Sequence, residues 1–117
     1  MQTVSTDRIP VRLYQGQLGV AQATLYATPV QPPNIRVVIT SIWVCNTDLA
    51  TRTCTLRTGA GTLTAANALF EAAPIAPNTT YIVFENTSLT LNAGDVITGL
   101  CDVAAKMTVT IYGVIVQ

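Results

Sequence analysis

Hydrophobic and polar positions along this chain alternate with a period of two, and the apolar ones are mostly β-branched. Ile35-Arg36-Val37-Val38-Ile39-Thr40-Ser41-Ile42-Trp43-Val44-Cys45 carries the strongest signal. Ile35, Val37, Ile39, Trp43 and Cys45 share one face, interrupted by Ser41; Arg36, Val38, Thr40, Ile42 and Val44 share the other. Both faces are largely apolar, which predicts a central strand covered on both sides, by the domain core and by a neighbouring subunit. Asn46-Thr47-Asp48 then predicts a turn, because Asn and Asp side chains bond back to nearby backbone. Arg52–Thr58 predicts the next strand, with Cys54 and Leu56 inward and Thr53, Thr55 and Arg57 outward. Gly59-Ala60-Gly61 ends it.

The segment Thr64–Ala73 is the one stretch with helical propensity. Pro74 and Pro77 limit it to a single turn that runs into a short strand near Leu69-Phe70. Thr80–Glu85 and Ser88–Leu91 read as strands. Asn92–Asp95 predicts a hairpin-type turn into Asp95–Cys101. Lys106–Val116 is long and alternating, with Met107, Val109, Ile111 and Ile115 on one face and Gly113 in the same register. Val11–Tyr14 and Ala23–Ala27 add two strands upstream. The expectation is an all-β chain, an antiparallel, jelly-roll-like β-sandwich of about eight strands. Residues 1–10 lack periodicity and end at Pro10, so they predict an extended N-terminal arm ahead of a single domain over 11–117. A faint internal echo relates Leu25–Asn34 to Leu69–Asn78. Each has an apolar–aromatic pair, a Pro-rich stretch and an Asn before a long strand. Since Pro cannot donate to a ladder, both should be crossings between sheets or blunted edges.

Composition narrows the function classes. Of 117 residues, 50% are hydrophobic and 10% charged, and the net charge is zero. That is the opposite of a disordered chain. Five arginines and the single Lys106 make no basic surface for phosphates, so no nucleic-acid partner is expected. Nineteen threonines dominate the polar fraction. A neutral, Thr-rich exterior predicts a chain that buries much of its surface against copies of itself or a partner. Met1–Gln15 has no apolar core behind a basic start, so no secretory signal is expected, and synthesis in a cytosol is. The stretch Ile35–Cys45 is far short of the ~20 residues of a membrane-spanning helix, so no membrane is expected either.

Candidate chemistry is thin. With no histidine, Ser5, Ser41, Ser88 and the thiols have no imidazole to activate them, and Lys106 is the one amine. Carboxylate pairs could be Asp95 with Asp102 or Glu71 with Glu85, but turn and loop roles explain the first pair. The two glycines at 59 and 61 lack a following GK[ST], and no Asp-rich calcium loop is present. Asn78-Thr79-Thr80 and Asn86-Thr87-Ser88 match a glycosylation sequon and, without a signal peptide, read as turn chemistry. The expectation is a chain that is not an enzyme and has no metal, cofactor or small-molecule substrate. Cys45, Cys54 and Cys101 read as buried thiols. A Cys45–Cys54 cross-strand disulfide is the alternative, because the two flank a hairpin-like turn. Trp43, Tyr14, Tyr26, Tyr81 and Tyr112 could form a sugar-stacking face, but low aromatic content favours Trp43 filling the core with the tyrosines at its rim. An interface is expected at the arm (Thr3, Arg8, Pro10), at the crossing Pro29, Pro32, Pro33 and Asn34, and at Arg36, Arg52 and Arg57, arginine being suited to bidentate pairing across interfaces.

Taken in order, the segments Thr24–Ala27 with Pro29, Val37–Asp48, Thr53–Thr58, Ala68–Asn78, Leu89–Ile97 and Thr108–Val114 resemble small β-proteins of tailed bacteriophages. Those proteins carry the layout TLYTAPANT…VVKSIxLCNTD…TVTLRxG…ALFxAxPIAANET…LxLxAGDxI…TVTIxGVEI. The resemblance covers nearly all of the chain after about residue 20 and rests on the ordered series, since no single piece is a sharp motif. It implies a virion structural component, a capsid decoration or cement protein on the head exterior. Its partners would be copies of itself, as a homotrimer, and the major capsid protein. Placement in a tail, neck or baseplate is the alternative, and a carbohydrate-binding module the second. The family offers no catalytic residue to carry over.

Overall fold

The alternating segments pair into two four-stranded antiparallel sheets packed face to face, an all-β sandwich. The computed structural model describes residues 11–31 and 33–116, and the side chains of these except at 84–88. The expected arm, with Thr3, Arg8 and Pro10, lies outside the described residues, as does Pro32. The strands are β1 (Val11–Gln17), β2 (Ala23–Ala27), β3 (Arg36–Asn46), β4 (Arg52–Gly59), β5 (Ala68–Ile75), β6 (Thr79–Asn92), β7 (Val96–Cys101) and β8 (Met107–Val116). The first sheet runs β1-β8-β3-β6 and the second β2-β7-β4-β5. Only β4 and β5 are consecutive and in the same sheet, so every other connection crosses the sandwich.

That topology corrects two local expectations. Asn92–Asp95 is a tight turn, closed by Asp95 N–H to Asn92 O at 2.9 Å with Gly94 at φ +85°, but it carries the chain from one sheet to the other. The turn after Asn46 does the same. Cys45 therefore lies on β3 in the first sheet and Cys54 on β4 in the second, and they are not cross-strand partners. All three cysteines are free, and Cys45 is only half-buried. A turn dictates that the chain reverses; it does not dictate which sheet the next strand joins. Thr80–Glu85 and Ser88–Leu91 are one strand, β6. The predicted helical turn is a single 3-10 turn, Ala65–Asn67, capped by the Thr64 side chain. It leads into β5, longer than expected, which lies at a sheet edge where Pro74 removes no ladder bond.

The core lies between the sheets. Val37, Ile39, Ile42 and Val44 from β3 and Met107, Val109 and Ile111 from β8 meet Cys54, Leu56 and Ile97 of the second sheet. Gly99 leaves room there for the tips of Leu56, Leu25 and Leu18, which an added Cβ would meet at 2.8–3.0 Å. The alternation predicted for β3 breaks halfway. Ile35, Val37 and Ile39 are buried, and then Ile42, Val44 and Asn46. Pairing with β8 jumps between Ile39 and Ser41, so Thr40 is an extra residue and the inward set shifts from odd to even positions. A matching bulge at Leu13 lies on β1, across β8. The two flank Gly113, whose absent side chain admits Leu13 Cδ1 and the Val38 carbonyl oxygen, each 2.8 Å from an ideal Cβ. β8 keeps its predicted faces to the end: Gly113 and Ile115 pair with the inward Ile39 and Val37, and Val114 with Val38 on the outer face, although Ile115 is exposed and Val114 buried.

Both halves of the internal echo leave an edge strand of the second sheet. Leu25-Tyr26 lies on β2 and Leu69-Phe70 on β5, and the Pro-rich stretch after each crosses to adjacent strands of the first sheet, β3 and β6. Asn78 ends its crossing in the left-handed region, φ 52°, which Asn adopts more readily than most residues.

Candidate functional site

The bulge at Thr40 decides the surface. Had alternation continued through β3, Trp43 would lie in the core. Instead it stands on the outer face of the β1-β8-β3-β6 sheet, 41% exposed, and the expectation that Trp43 fills the core is overturned. Register puts Gln15, Thr110, Trp43 and Ile82 in one row across the four strands. The neighbouring row holds Arg12, Tyr112 and Ser41, and a further one Val114, Val38 and Thr90. The Trp43 and Tyr112 rings meet edge to face, with centroids 6.2 Å apart at 60°, a favoured aromatic geometry. Ile82, also 41% exposed, lies beside Trp43 on β6. Gln15 Nε2 donates to Thr110 Oγ1 at 3.1 Å, fixing the β1 side of the row. The charged residues that the register places on this face are Arg12 on the β1 edge strand, Arg36 at the start of β3 and Glu85, the β6 partner of Ser41.

The other tyrosines are dispersed. Tyr14 and Tyr26 pack against the core. Burial raises the pKa of the Tyr26 phenol. Tyr81 lies 6.1 Å from Phe70, bridging the sandwich edge between β6 and β5. An aromatic face made of all five expected residues does not form; its outward part is Trp43 with Tyr112.

On the opposite outer face the arginines have partners. Arg57 donates from Nε and Nη2 to the two Glu71 carboxylate oxygens at 3.0 and 2.8 Å, and from Nη1 to Gln22 Oε1 at 2.6 Å. Glu71 is held below the usual carboxylate range, first by the hydrogen bond from Arg57. Arg52 Nε bonds Asp48 at 2.6 Å and its Nη1 lies 3.9 Å from Asp102. The expected arginine set is thus not brought together: Arg36 is on the first sheet, while Arg52 and Arg57 are engaged on the second. Pro29, Pro33 and Asn34 are exposed on the β2–β3 crossing.

The proposed chemistry partners also separate. Asp95 closes its turn by accepting from Asn92 N–H at 3.0 Å, and Asp102 accepts from Thr53 N–H at 3.3 Å. Among the described residues no three of His, Cys, Asp and Glu cluster as metal ligands would. Among the described residues no helix is long and apolar enough to cross a membrane. No family model matches the chain, and no curated protein or solved structure matches it.

Sequence reasoning missed Asn46 as more than a turn residue. It is fully buried at the end of β3. Its Nδ2 donates to Ala50 O and Ile75 O at 2.9 Å and to Ala76 O at 3.3 Å, and its Oδ1 accepts from Asp48 N–H at 2.9 Å. One side chain ties β3, the following turn and the end of β5, and so holds the two sheets together at that end of the sandwich. The signal was in plain view as Asn46 continuing the even-numbered inward set, legible only once the bulge is known.

Proposed function

We propose that this chain is a virion structural protein of a tailed bacteriophage, a capsid decoration or cement protein made in the host cytoplasm. It would bind the exterior of the assembled head shell and stabilise it as a homotrimer. The observation that carries the reading is the outer face of the β1-β8-β3-β6 sheet, where Trp43 and Ile82 are both exposed and the row Gln15, Thr110, Trp43 and Ile82 carries no charge. A strand face of this kind suits a protein contact, where aromatic anchors are enriched and charge is depleted at the centre. The strand orders β1-β8-β3-β6 and β2-β7-β4-β5 support a jelly-roll assignment, an eight-stranded architecture used in viral capsid and lectin domains. Binding the mature shell in preference to free subunits stabilises the shell by mass action, and repeated docking multiplies weak contacts. The resemblance to small phage β-proteins points the same way.

Quantitative mass spectrometry of purified particles tests the assignment. A decoration protein should approach the copy number of the major capsid protein; a copy number in the tens or fewer would place it in a neck, tail or baseplate. Light scattering of the purified chain should give three chain masses.

The exposure of Trp43 against Tyr112 favours a second reading, a carbohydrate-binding module of a host-recognition device, because an outward aromatic pair can stack on a sugar ring. Glycan-array binding that is lost in Trp43→Ala with the fold intact would replace the cement reading by this one.

A further inference from the structure

Two of the three thiols are paired by the fold. Cys54 on β4 and Cys101 on β7 are register partners in the middle of the second sheet. Antiparallel partners come in a wide and a narrow kind, and the backbone bonds tell which this is. Asp102 N–H donates to Thr53 O at 3.3 Å, linking the residue after Cys101 to the residue before Cys54. Cys101 N–H points away from β4, to Gly19 O at 2.9 Å. Both bonds mark Cys54–Cys101 as a non-hydrogen-bonded pair. In such pairs the Cα atoms lie about 4.5 Å apart and side chains approach most closely. A disulfide accepts Cα separations of roughly 4.4–6.8 Å. Both side chains turn to the sandwich interior, each nearly fully buried.

We propose that Cys54 and Cys101 are an oxidative modification site, closing a cross-strand disulfide that staples β4 to β7 when the protein meets a low-molecular-weight disulfide such as oxidised glutathione. Cys101 is the attacking thiol. It ends β7 and precedes the exposed turn over 102–106, so local opening uncovers it first, at the loss of its hydrogen bond to Val103 O, 2.9 Å. Its thiolate displaces one thiolate from the small disulfide and forms a mixed disulfide. The Cys54 thiolate then attacks the Cys101 sulfur and releases the second. Two S–H bonds are lost and one S–S bond forms. The two electrons and two protons leave with the small molecule as two thiols.

The staple is set slowly in the folded protein. Burial, reinforced by the neighbouring Cys101, pushes the Cys54 thiol up to about 12, so the thiolate is scarce at neutral pH. Reducing cytosol leaves the pair open; an oxidising exterior closes it. Cys45 is excluded by position. It faces outward on the first sheet, with Thr80 and Thr108 as its register partners, and serves as the internal reference thiol.

The full chain is incubated with excess oxidised glutathione near the foot of its melting transition, then denatured and alkylated. The titratable thiols should fall from three to one, the intact mass should drop by two hydrogens, and digestion should yield a Cys54–Cys101 peptide with Cys45 alkylated. The oxidised form should melt roughly 10 °C above the reduced one, since the bond closes a long loop. Cys45→Ser should leave the bond intact, which guards against misfolding of a Cys54→Ser or Cys101→Ser variant. Three reactive thiols, a stable glutathione adduct on either core cysteine, or a bond that includes Cys45 would each overturn the proposal.

Discussion

Replacing Asn46 should be among the most damaging polar substitutions in the described part of this protein. The side chain offers two hydrogens to three backbone carbonyls and accepts one N–H, in a site closed to water. In Asn46→Ala the bond to Ile75 O, the most deeply buried of the four, is lost outright. Orphaning a buried carbonyl costs about 1–3 kcal/mol, and the partly buried partners add about 0.5–1 kcal/mol each. The sum is about 2.5–6 kcal/mol, a drop in melting temperature of roughly 10–20 °C for a domain of this size. Asn46→Asp sharpens the test, since it keeps the shape but points a carboxylate oxygen at carbonyl oxygens. Its folded-state pKa should be raised above the unfolded value. The sign then follows: its stability is preserved below about pH 4 and falls, relative to the wild type, by about 1.4 kcal/mol per pH unit above that until the carboxyl ionises in the fold. Chemical denaturation at several pH values reads both variants. Thr47→Ala is the control, because Thr47 Oγ1 donates to Lys106 O at 3.0 Å at the surface and should cost under ~0.5 kcal/mol. If Asn46→Ala melts with Thr47→Ala, or if Asn46→Asp tracks the wild type from pH 4 to 8, the argument from buried hydrogen bonding is wrong.

Other outcomes follow from the same geometry. Trp43→Ala should cost only about 1–2 kcal/mol, well below the ~3–5 kcal/mol of a core Trp, while reducing self-association in light scattering; a core-sized loss would contradict its outward placement. Gly113→Ala should destabilise by about 1–3 kcal/mol, because a Cβ there meets Leu13 and the Val38 carbonyl at 2.8 Å and the latter is backbone; an unchanged denaturation midpoint would deny the paired bulges. Asp48, held low by Leu49 N–H and then by Arg52, and Glu71, held low by Arg57, have depressed folded-state pKa values. Both contribute stability that is present above about pH 4 and fades as pH falls below it; a melting temperature that is flat from pH 6 to 2.5 would argue against both pairings.

The alternation of Arg52–Thr58, with Cys54 and Leu56 inward, was legible from seven residues, because a strand's two faces are a local property of the backbone. The 3-10 turn at Ala65–Asn67 and the Pro-rich crossings were equally local, resting on propensity and on a missing donor. The site was not. Reading β3 as an unbroken alternation put Trp43 in the core, and one extra residue at Thr40 reverses that for every position after it. The bulge is visible only against the partner strands β6 and β8, the latter some seventy residues away in sequence. The Cys45–Cys54 alternative failed for a related reason: nearness in sequence across a turn suggested partners, and the chain had changed sheets.

The amino-acid pattern alone thus determined that this chain is made of strands, where most begin and end, and that little charge is available for chemistry. These follow from short-range sterics and from which side chains tolerate water. The tertiary structure alone decided which sheet each strand enters, which cysteines meet and which aromatic faces solvent. Those depend on pairing between distant segments, where the register of one strand sets the facing of another.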